Sequence, residues 1–131
     1  MAELKKGITG HAEETVTAEK TAISMGSGGL PVYATPRMIA MMEYTAWSSV
    51  EPYMEEGAGT VGTHLDVSHL SASPEGAHIT YESELVGIDG RKLIFHVKAF
   101  DDAGLIGEGR HERFIIKNER FMAKTKSKLE G

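Results

Sequence analysis

Glu43 is a carboxylate whose neighbours at helical spacing are all apolar, and such a residue is a candidate for acid–base chemistry. It lies near the middle of a predicted helix, and the residues at i−4, i−3, i+3, i+4 and i+7 are all apolar: Ile39, Ala40, Ala46, Trp47 and Val50. Residues at these spacings share one face of a helix. The pattern therefore favours a buried carboxylate, whose pKa rises into the range useful for catalysis unless the group is paired. The alternative is that Glu43 points to solvent.

His69 gives a similar signal on a predicted strand. Period-two alternation places it on one face with Thr63, Leu65 and Val67. A lone histidine on such a face is more often a core residue than a catalyst. The combination with Glu43 favours function, because a sheet that curls around the helix would direct a carboxylate and an imidazole into one interface. That is the arrangement of a general base and its orienting partner in hydrolases.

The composition narrows the chemistry further. The chain has no cysteine, which excludes disulfides, thiolate metal sites and cysteine nucleophiles. No pair of histidines has the spacing of a zinc site, and two pairs are only weak candidates for metal ligands: His64 with Asp66, and Asp101 with Asp102. We therefore expect hydroxyl, carboxylate and imidazole groups to carry the chemistry, with no metal and no cofactor.

The charge distribution bears on the ligand and the compartment. The net charge of −5 argues against a nucleic-acid partner, yet seven basic and only two acidic residues lie between Arg110 and Lys128. This basic strip suits a ligand that carries phosphate groups, and a solvated, charged terminal strand explains it equally well. No window approaches the ~18 apolar residues of a membrane span, and residues 1–10 lack the apolar stretch of a signal peptide. A cytoplasmic protein is expected.

The first half of the chain predicts a strand, a loop and a helix. Weak alternation over 8–19 indicates a half-exposed strand, and the glycines of 24–31 indicate a mobile loop. The helix follows directly. Thr35 is its predicted N-cap, Pro36 fits the first helical position, and no further breaker occurs before Val50.

The second half predicts an antiparallel meander. Strand-like runs at about 60–71, 77–88, 92–101 and 105–122 are separated by short turns. One strand, one long helix and four more strands favour an α+β fold, in which a five-stranded antiparallel sheet wraps the helix. We expect a single domain over residues 1–131.

Several separated motifs resemble those of the fluoroacetyl-coenzyme A thioesterase family of hotdog-fold proteins. They are Ala34-Thr35, Glu43, Gly62-Thr63, His69 and Gly109-Arg110-His111-Glu112-Arg113. The resemblance implies an acyl-coenzyme A thioesterase with a long central helix wrapped by the sheet. It also implies a homodimer with the active site at the subunit interface.

The resemblance also implies roles for individual residues. Thr35, Glu43 and His69 correspond to the catalytic constellation of the family. Gly62 corresponds to a glycine beside the thioester carbonyl, and Arg113 to an arginine near the substrate. The resulting hypothesis makes His69 the general base and acid, with Thr35 positioning the water or the carboxylate. Glu43 either orients His69 or attacks the carbonyl to give an anhydride, and the sequence leaves both routes open.

One departure concerns specificity. In the fluoroacetyl-specific enzyme the segment before the threonine is a lid with phenylalanines, whereas residues 26–31 of this chain contain no aromatic side chain. We therefore expect a thioesterase for a small or medium acyl group that is not fluoroacetyl-specific. Two alternatives stay open: a dehydratase or hydratase of acyl thioesters, and a non-catalytic module that binds acyl-coenzyme A.

Overall fold

The computed structural model describes residues 3–130. The strands are β1 Thr9–Thr15, β2 Ala58–His69, β3 His78–Asp89, β4 Lys92–Asp101 and β5 Gly104–Lys117. The helices are α1 Ala22–Met25, α2 Thr35–Val50 and α3 Asn118–Lys126. The predicted α+β architecture, with one long helix against a five-stranded antiparallel sheet, is confirmed.

The sheet follows from the predicted meander. Its strand order is β1-β3-β4-β5-β2, and every neighbouring pair is antiparallel. The β3 to β4 turn contains Gly90 at φ 61°, a backbone conformation that glycine adopts without strain. Strands β1 and β2 form the two edges of the sheet. Strand β2 is thus paired on one side only within the described residues.

The core lies between α2 and one face of the sheet. Alternate residues of β3 and β4 are buried, as expected for strands with one face on a core. They meet the buried side of α2. The core includes Met38, Met42 and Val50 from α2, Ile79, Tyr81 and Leu85 from β3, and Leu93, Phe95 and Val97 from β4.

Strand β1 approaches the helix most closely at Gly10. A Cβ atom built at Gly10 would lie 2.5 Å from the Thr45 carbonyl oxygen and 2.5 Å from Ser83 Oγ. The first of these is helix backbone, which cannot move aside as a flexible side chain would. The absence of a side chain at Gly10 therefore sets how closely α2 lies on the sheet.

Three predicted boundaries are wrong. The first strand, predicted over 8–19, ends at Thr15. The last strand ends at Lys117, and the following nine residues form α3. Alanine and lysine in this stretch are strong helix formers, and Phe121 and Met122 are adjacent, which does not fit the alternation of a strand. The N-cap of α2 is Ala34, while Thr35 is the first helical residue.

In the part of the chain that the structure describes, none of the helices combines the length and the apolar character needed to span a membrane.

Gly10→Ala is expected to destabilise the protein by about 1 to 3 kcal/mol, the usual cost of overpacking a close contact. The added methyl group must push α2 away from β1. Gly29→Ala is the matched control, because a Cβ atom at Gly29 meets nothing within 4 Å. Chemical denaturation of both variants measures the difference, and equal stabilities would contradict the assigned role of Gly10.

Candidate active site

Thr35 and His69 are brought into direct contact. Thr35 is exposed at the start of α2, and its Oγ1 lies 2.7 Å from Nδ1 of His69, at the end of β2. The predicted capping role of the threonine is wrong, because its hydroxyl makes no capping hydrogen bond and lies against the imidazole. A hydroxyl and an imidazole at this distance form a pair that can pass a proton.

The environment of His69 favours the neutral ring. Burial lowers its pKa, and the Ser71 backbone acts weakly in the opposite direction. Nε2 is buried and has no hydrogen-bond partner among residues 3–130. A neutral imidazole keeps one nitrogen free to accept a proton, as a general base requires.

The start of α2 is held by a charged network. Glu14 of β1, whose side chain is 8% exposed, accepts hydrogen bonds from Arg37 at 2.6 and 3.0 Å. Lys20 lies 3.1 Å from the same carboxylate, and the Tyr33 hydroxyl donates to it and contacts the hydroxyl of Tyr81. Arg37 is two residues after Thr35, so this network fixes the helix turn that presents the threonine to His69.

Glu43 lies in a second cluster, with Arg113 and Gly62. Its Oε2 is 3.7 Å from Nη1 of Arg113. Oε2 also lies so close to Gly62 that an added Cβ atom there would be only 2.7 Å away. Arg113 is buried, with its side chain only 7% exposed. Burial lowers the pKa of Arg113 and the carboxylates of Glu43 and Glu51 oppose that shift. A buried guanidinium needs such partners, since an unpaired charge in the interior is costly.

The predicted apolar stripe around Glu43 is displaced. The buried side of α2 runs through Met38, Met42, Ala46 and Val50, whereas the Glu43 side chain is 36% exposed. The helix packs on β1, β3 and β4, so the row of residues containing Glu43 faces the less covered flank beside β2 and β5. Glu43 is neither enclosed by apolar groups nor free in solvent, because it borders the core and faces Arg113.

His111 belongs to the second cluster and was missed by the sequence reasoning. It lies within the basic strip between Arg110 and Lys128, yet its exposure is 0%, and it contacts Arg113. Alternation along β5 was the available signal, because His111 and Arg113 are two residues apart and thus share one face. The strip itself is not a continuous solvated strand, since Arg113 is buried and the residues after Lys117 are helical.

The two clusters are separate within one chain. No hydrogen bond joins Glu43 to His69 among the contacts of residues 3–130. Thr35 and Glu43 are eight residues apart on α2, which corresponds to about 12 Å along the helix axis. One copy therefore presents a hydroxyl and imidazole pair at one place and a carboxylate and guanidinium pair at another.

The weak metal candidates do not form a site. Asp101 accepts hydrogen bonds from Ser73 and from two backbone amides of its own turn. Within residues 3–130, no group of three or more histidine and carboxylate side chains has the geometry to hold a metal ion.

Comparisons with known proteins identify the family of the chain. The family described as fluoroacetyl-CoA-specific thioesterase matches residues 16–119. The chain belongs to this family. It is 40% identical over 97 residues to the fluoroacetyl-CoA thioesterase of Streptantibioticus cattleyicolor, a match that covers 74% of this chain and 70% of that protein.

Solved structures extend the comparison to the whole fold. A crystal structure of a mutant of the fluoroacetyl-CoA-specific thioesterase superposes with a TM-score of 0.91, at 32% identity, and the match covers 98% of this chain and 99% of the other. A hypothetical protein of Thermus thermophilus, described as a thioesterase superfamily member, gives a TM-score of 0.90 at 28% identity, with 99% and 96% covered. The hotdog fold and the thioesterase class predicted from the sequence are confirmed.

The charged network at Glu14 predicts a distinct acid transition. Burial alone would raise the pKa of Glu14, but the hydrogen bonds from Arg37, Tyr33 and Lys20 outweigh it and hold the pKa at about 2. The folded-state pKa is thus below the ordinary value near 4.5. The ionised Glu14 carboxylate therefore stabilises the folded state fully above pH 4.5, and this contribution is lost as the pH falls towards about 2.

Glu14→Gln is therefore expected to flatten the pH dependence of the unfolding free energy between about pH 4.5 and 2. Glu13→Gln is the control on the same strand, since the Glu13 side chain is 57% exposed and its ion pairs are screened by water. Denaturation at a series of pH values compares the variants. A Glu14→Gln curve parallel to that of the wild type would show that the network does not couple to folding.

Proposed function

We propose that this thioesterase hydrolyses acyl-coenzyme A thioesters with a small or medium acyl group and does not select fluoroacetyl. The observation that carries the catalytic assignment is the 2.7 Å contact between Thr35 and His69 at the exposed start of α2. In a chain of this family, that pair is suited to proton transfer at a thioester carbonyl.

The chemistry requires one proton acceptor and one electrostatic partner. In our proposal, His69 takes a proton from the attacking water while the water oxygen bonds to the carbonyl carbon. The carbon–sulfur bond then breaks, and His69 returns the proton to the departing thiolate. Thr35 orients the imidazole, and backbone N–H groups near Gly62 stabilise the oxyanion. Glu43 either orients His69 in this route or itself attacks the carbonyl carbon. In the second case the thiolate leaves, and water then hydrolyses the mixed anhydride and restores the carboxylate, with the proton of that water passing through His69 to the thiolate.

A homodimer unites the two clusters in this proposal. Strand β2 is a 12-residue edge strand, and residues 62–66 are all exposed. Such an edge is a template for pairing with a second copy. The exposed side chains of Tyr44, Trp47 and Leu65 add apolar surface. Two-fold pairing of β2 with its copy satisfies the unpaired backbone and covers these groups.

The register of that pairing follows from the chemistry. If the two-fold axis passes between Leu65 and Asp66, antiparallel pairing sets the partner subunit's His69 opposite Gly62. Glu43 lies beside Gly62 on the helix side of the sheet, and His69 reaches Thr35 on the same side. Each dimer then holds two composite sites, each with Glu43 from one subunit and the Thr35–His69 pair from the other.

Subunit complementation tests the composite site. Glu43→Gln and His69→Ala are each expected to lose about 10² to 10⁴-fold in kcat. When the two variants are unfolded together and refolded at equal concentrations, half of the dimers are mixed, and each mixed dimer has one intact site. The mixture should regain roughly a quarter of the wild-type activity.

The control for complementation mixes Glu43→Gln with a double variant that carries both substitutions, which cannot form an intact site. Activity in the first mixture no higher than in this control would contradict the composite site. Analytical ultracentrifugation of the wild type checks the dimer itself.

Two features support the expected acyl selectivity: the loop that precedes Thr35, and a cleft beside Arg113 in the second cluster. Residues 23–31 are exposed and contain no aromatic side chain. A cleft of about 430 Å³ opens beside Arg113, and its lining is partly apolar, with Trp47, Val61, Phe121 and Met122. An open entrance and an apolar cleft favour a larger acyl group over fluoroacetyl, because each methylene-sized contact contributes about 1 to 3 kcal/mol.

Thiol release from fluoroacetyl, acetyl, butyryl and phenylacetyl thioesters measures this selectivity. We expect the larger acyl groups to have the higher kcat/KM, and fluoroacetyl and acetyl to be similar. Gly29→Phe, which places an aromatic side chain in the exposed loop, should reduce turnover of the larger substrates, with Gly29→Ala as the control. A preference for fluoroacetyl above about a thousandfold exceeds what open pocket contacts supply and would contradict the proposal.

The cellular compartment and the domain organisation are also part of the proposal. We place the protein in the cytoplasm and treat residues 1–131 as one domain, because α2 and all five strands contribute to a shared fold.

A further inference from the structure

His111 is a fully buried histidine that the proposed reaction does not use. It projects from β5, and its ring lies 6.3 Å from that of Phe95 in a stacked arrangement. Nδ1 is 2.9 Å from the His64 carbonyl oxygen, and Nε2 is 3.1 Å from Nη1 of Arg113. Both ring nitrogens thus have partners, although the ring has no access to solvent or substrate.

The partners define the protonation state of the ring. A guanidinium group can only donate hydrogen bonds, so Nε2 must accept from Arg113. A carbonyl oxygen can only accept, so Nδ1 must carry the proton and donate to His64. The arrangement is satisfied only by the neutral imidazole with its proton on Nδ1.

Arg113 is held on three sides. Its Nε donates to Thr60 Oγ1 at 2.8 Å, Nη2 donates to the Thr60 carbonyl oxygen at 3.0 Å, and Nη1 donates to His111. The same Nη1 faces Glu43 Oε2 at 3.7 Å. The position of the guanidinium, and with it the charge that attracts the Glu43 carboxylate, depends on these contacts from β2 and β5.

We infer that His111 is a positioning residue: its neutral imidazole fixes Arg113, which holds the Glu43 carboxylate over Gly62. Gly62 completes the arrangement, because a Cβ atom there would lie 2.7 Å from Glu43 Oε2, 3.2 Å from His111 Cε1 and 3.3 Å from Arg113 Nη1. The catalytic consequence of this inference rests on the proposed function, because it requires Glu43 to take part in the reaction. The contacts among His111, Arg113 and Glu43 do not depend on that function.

The charges around His111 are consistent with the neutral ring. Burial lowers its pKa, the His64 carbonyl raises it, Arg113 lowers it further, and Glu43 and Glu112 raise it. Protonation would set a donor on Nε2 against the donor on Arg113. The hydrogen bonds of neutral His111 are therefore all formed above the ordinary histidine pKa near 6.5. They are lost as the pH falls through the lowered pKa of His111 in the folded protein.

Two substitutions separate the two hydrogen bonds of His111. In His111→Asn, the amide N–H can replace Nδ1 and donate to His64, but no acceptor reaches Arg113. In His111→Gln, the longer side chain can place its amide oxygen near the position of Nε2 and accept from Arg113. We expect kcat to fall about 10²-fold in His111→Asn with little change in KM, as for a displaced catalytic group. His111→Gln should recover most of the loss.

His96→Asn is the control, because His96 is an exposed histidine on the adjacent strand β4. It should leave kcat unchanged. Equal kcat values for the Asn and Gln variants, measured on folded protein, would overturn the inference, since a purely structural role does not distinguish an acceptor at Nε2 from a donor at Nδ1.

A spectroscopic measurement judges the inference independently of turnover. Long-range proton–nitrogen correlation spectra of the wild-type protein at pH 7 should show the His111 proton on Nδ1. The Arg113 Nη signals should be sharp in the wild type and in His111→Gln, and broadened in His111→Asn. A proton on Nε2, or Arg113 signals unaffected by His111→Asn, would overturn the inference. A wild-type protein that hydrolyses no thioester, yet shows these signals, would contradict only the proposed function.

Discussion

The close contact of α2 with β1 at Gly10 is the constraint on which the rest of the structure depends. Because Gly10 has no side chain, the backbone of α2 lies directly against β1. This contact determines which face of α2 is buried. With Met38, Met42 and Val50 directed at the sheet, the row that contains Glu43 can only face the flank beside β2 and β5. The chemistry therefore lies at the border of the core, where a charged group can keep contact with water and still be oriented by buried partners.

Two partly buried ion pairs lie at different points along this helix, and the positions of their cation and carboxylate are reversed. Near its first turn, a carboxylate of the sheet, Glu14, binds a cation of the helix, Arg37. Further along, a cation of the sheet, Arg113, faces a carboxylate of the helix, Glu43. Replacing such pairs by apolar side chains is often neutral for stability because removing charges from water is costly, whereas neutralising only one partner is destabilising. Their effect is geometric, because each fixes the direction of a helix segment that carries a candidate catalytic group.

The sequence predicted the fold and singled out His69 because both depend on local patterns, whereas the role of Thr35 beside His69 came only from the resemblance to the family. Breakers around a long helix and alternation in four strands give the architecture, and His69 is at the end of an alternating run. The apolar stripe around Glu43 was misplaced because periodicity shows which residues share a helix face, but not which face packs on the sheet. His111 and α3 were missed for another reason, and Arg113 was singled out only by the resemblance to the family. A run of basic residues looks solvated until tertiary contacts with Thr60 and Glu43 show which members are buried.

The unpaired edge of β2 has a consequence for how such a protein behaves in dilute solution. Twelve residues of strand backbone are open on one side, and in the proposed pairing each site takes groups from two chains. Below the dissociation constant of the dimer, the number of complete sites falls with the square of the chain concentration. Catalytic capacity then depends on the amount of protein in the cell more steeply than substrate binding alone requires, so that a modest change in synthesis or degradation alters turnover disproportionately.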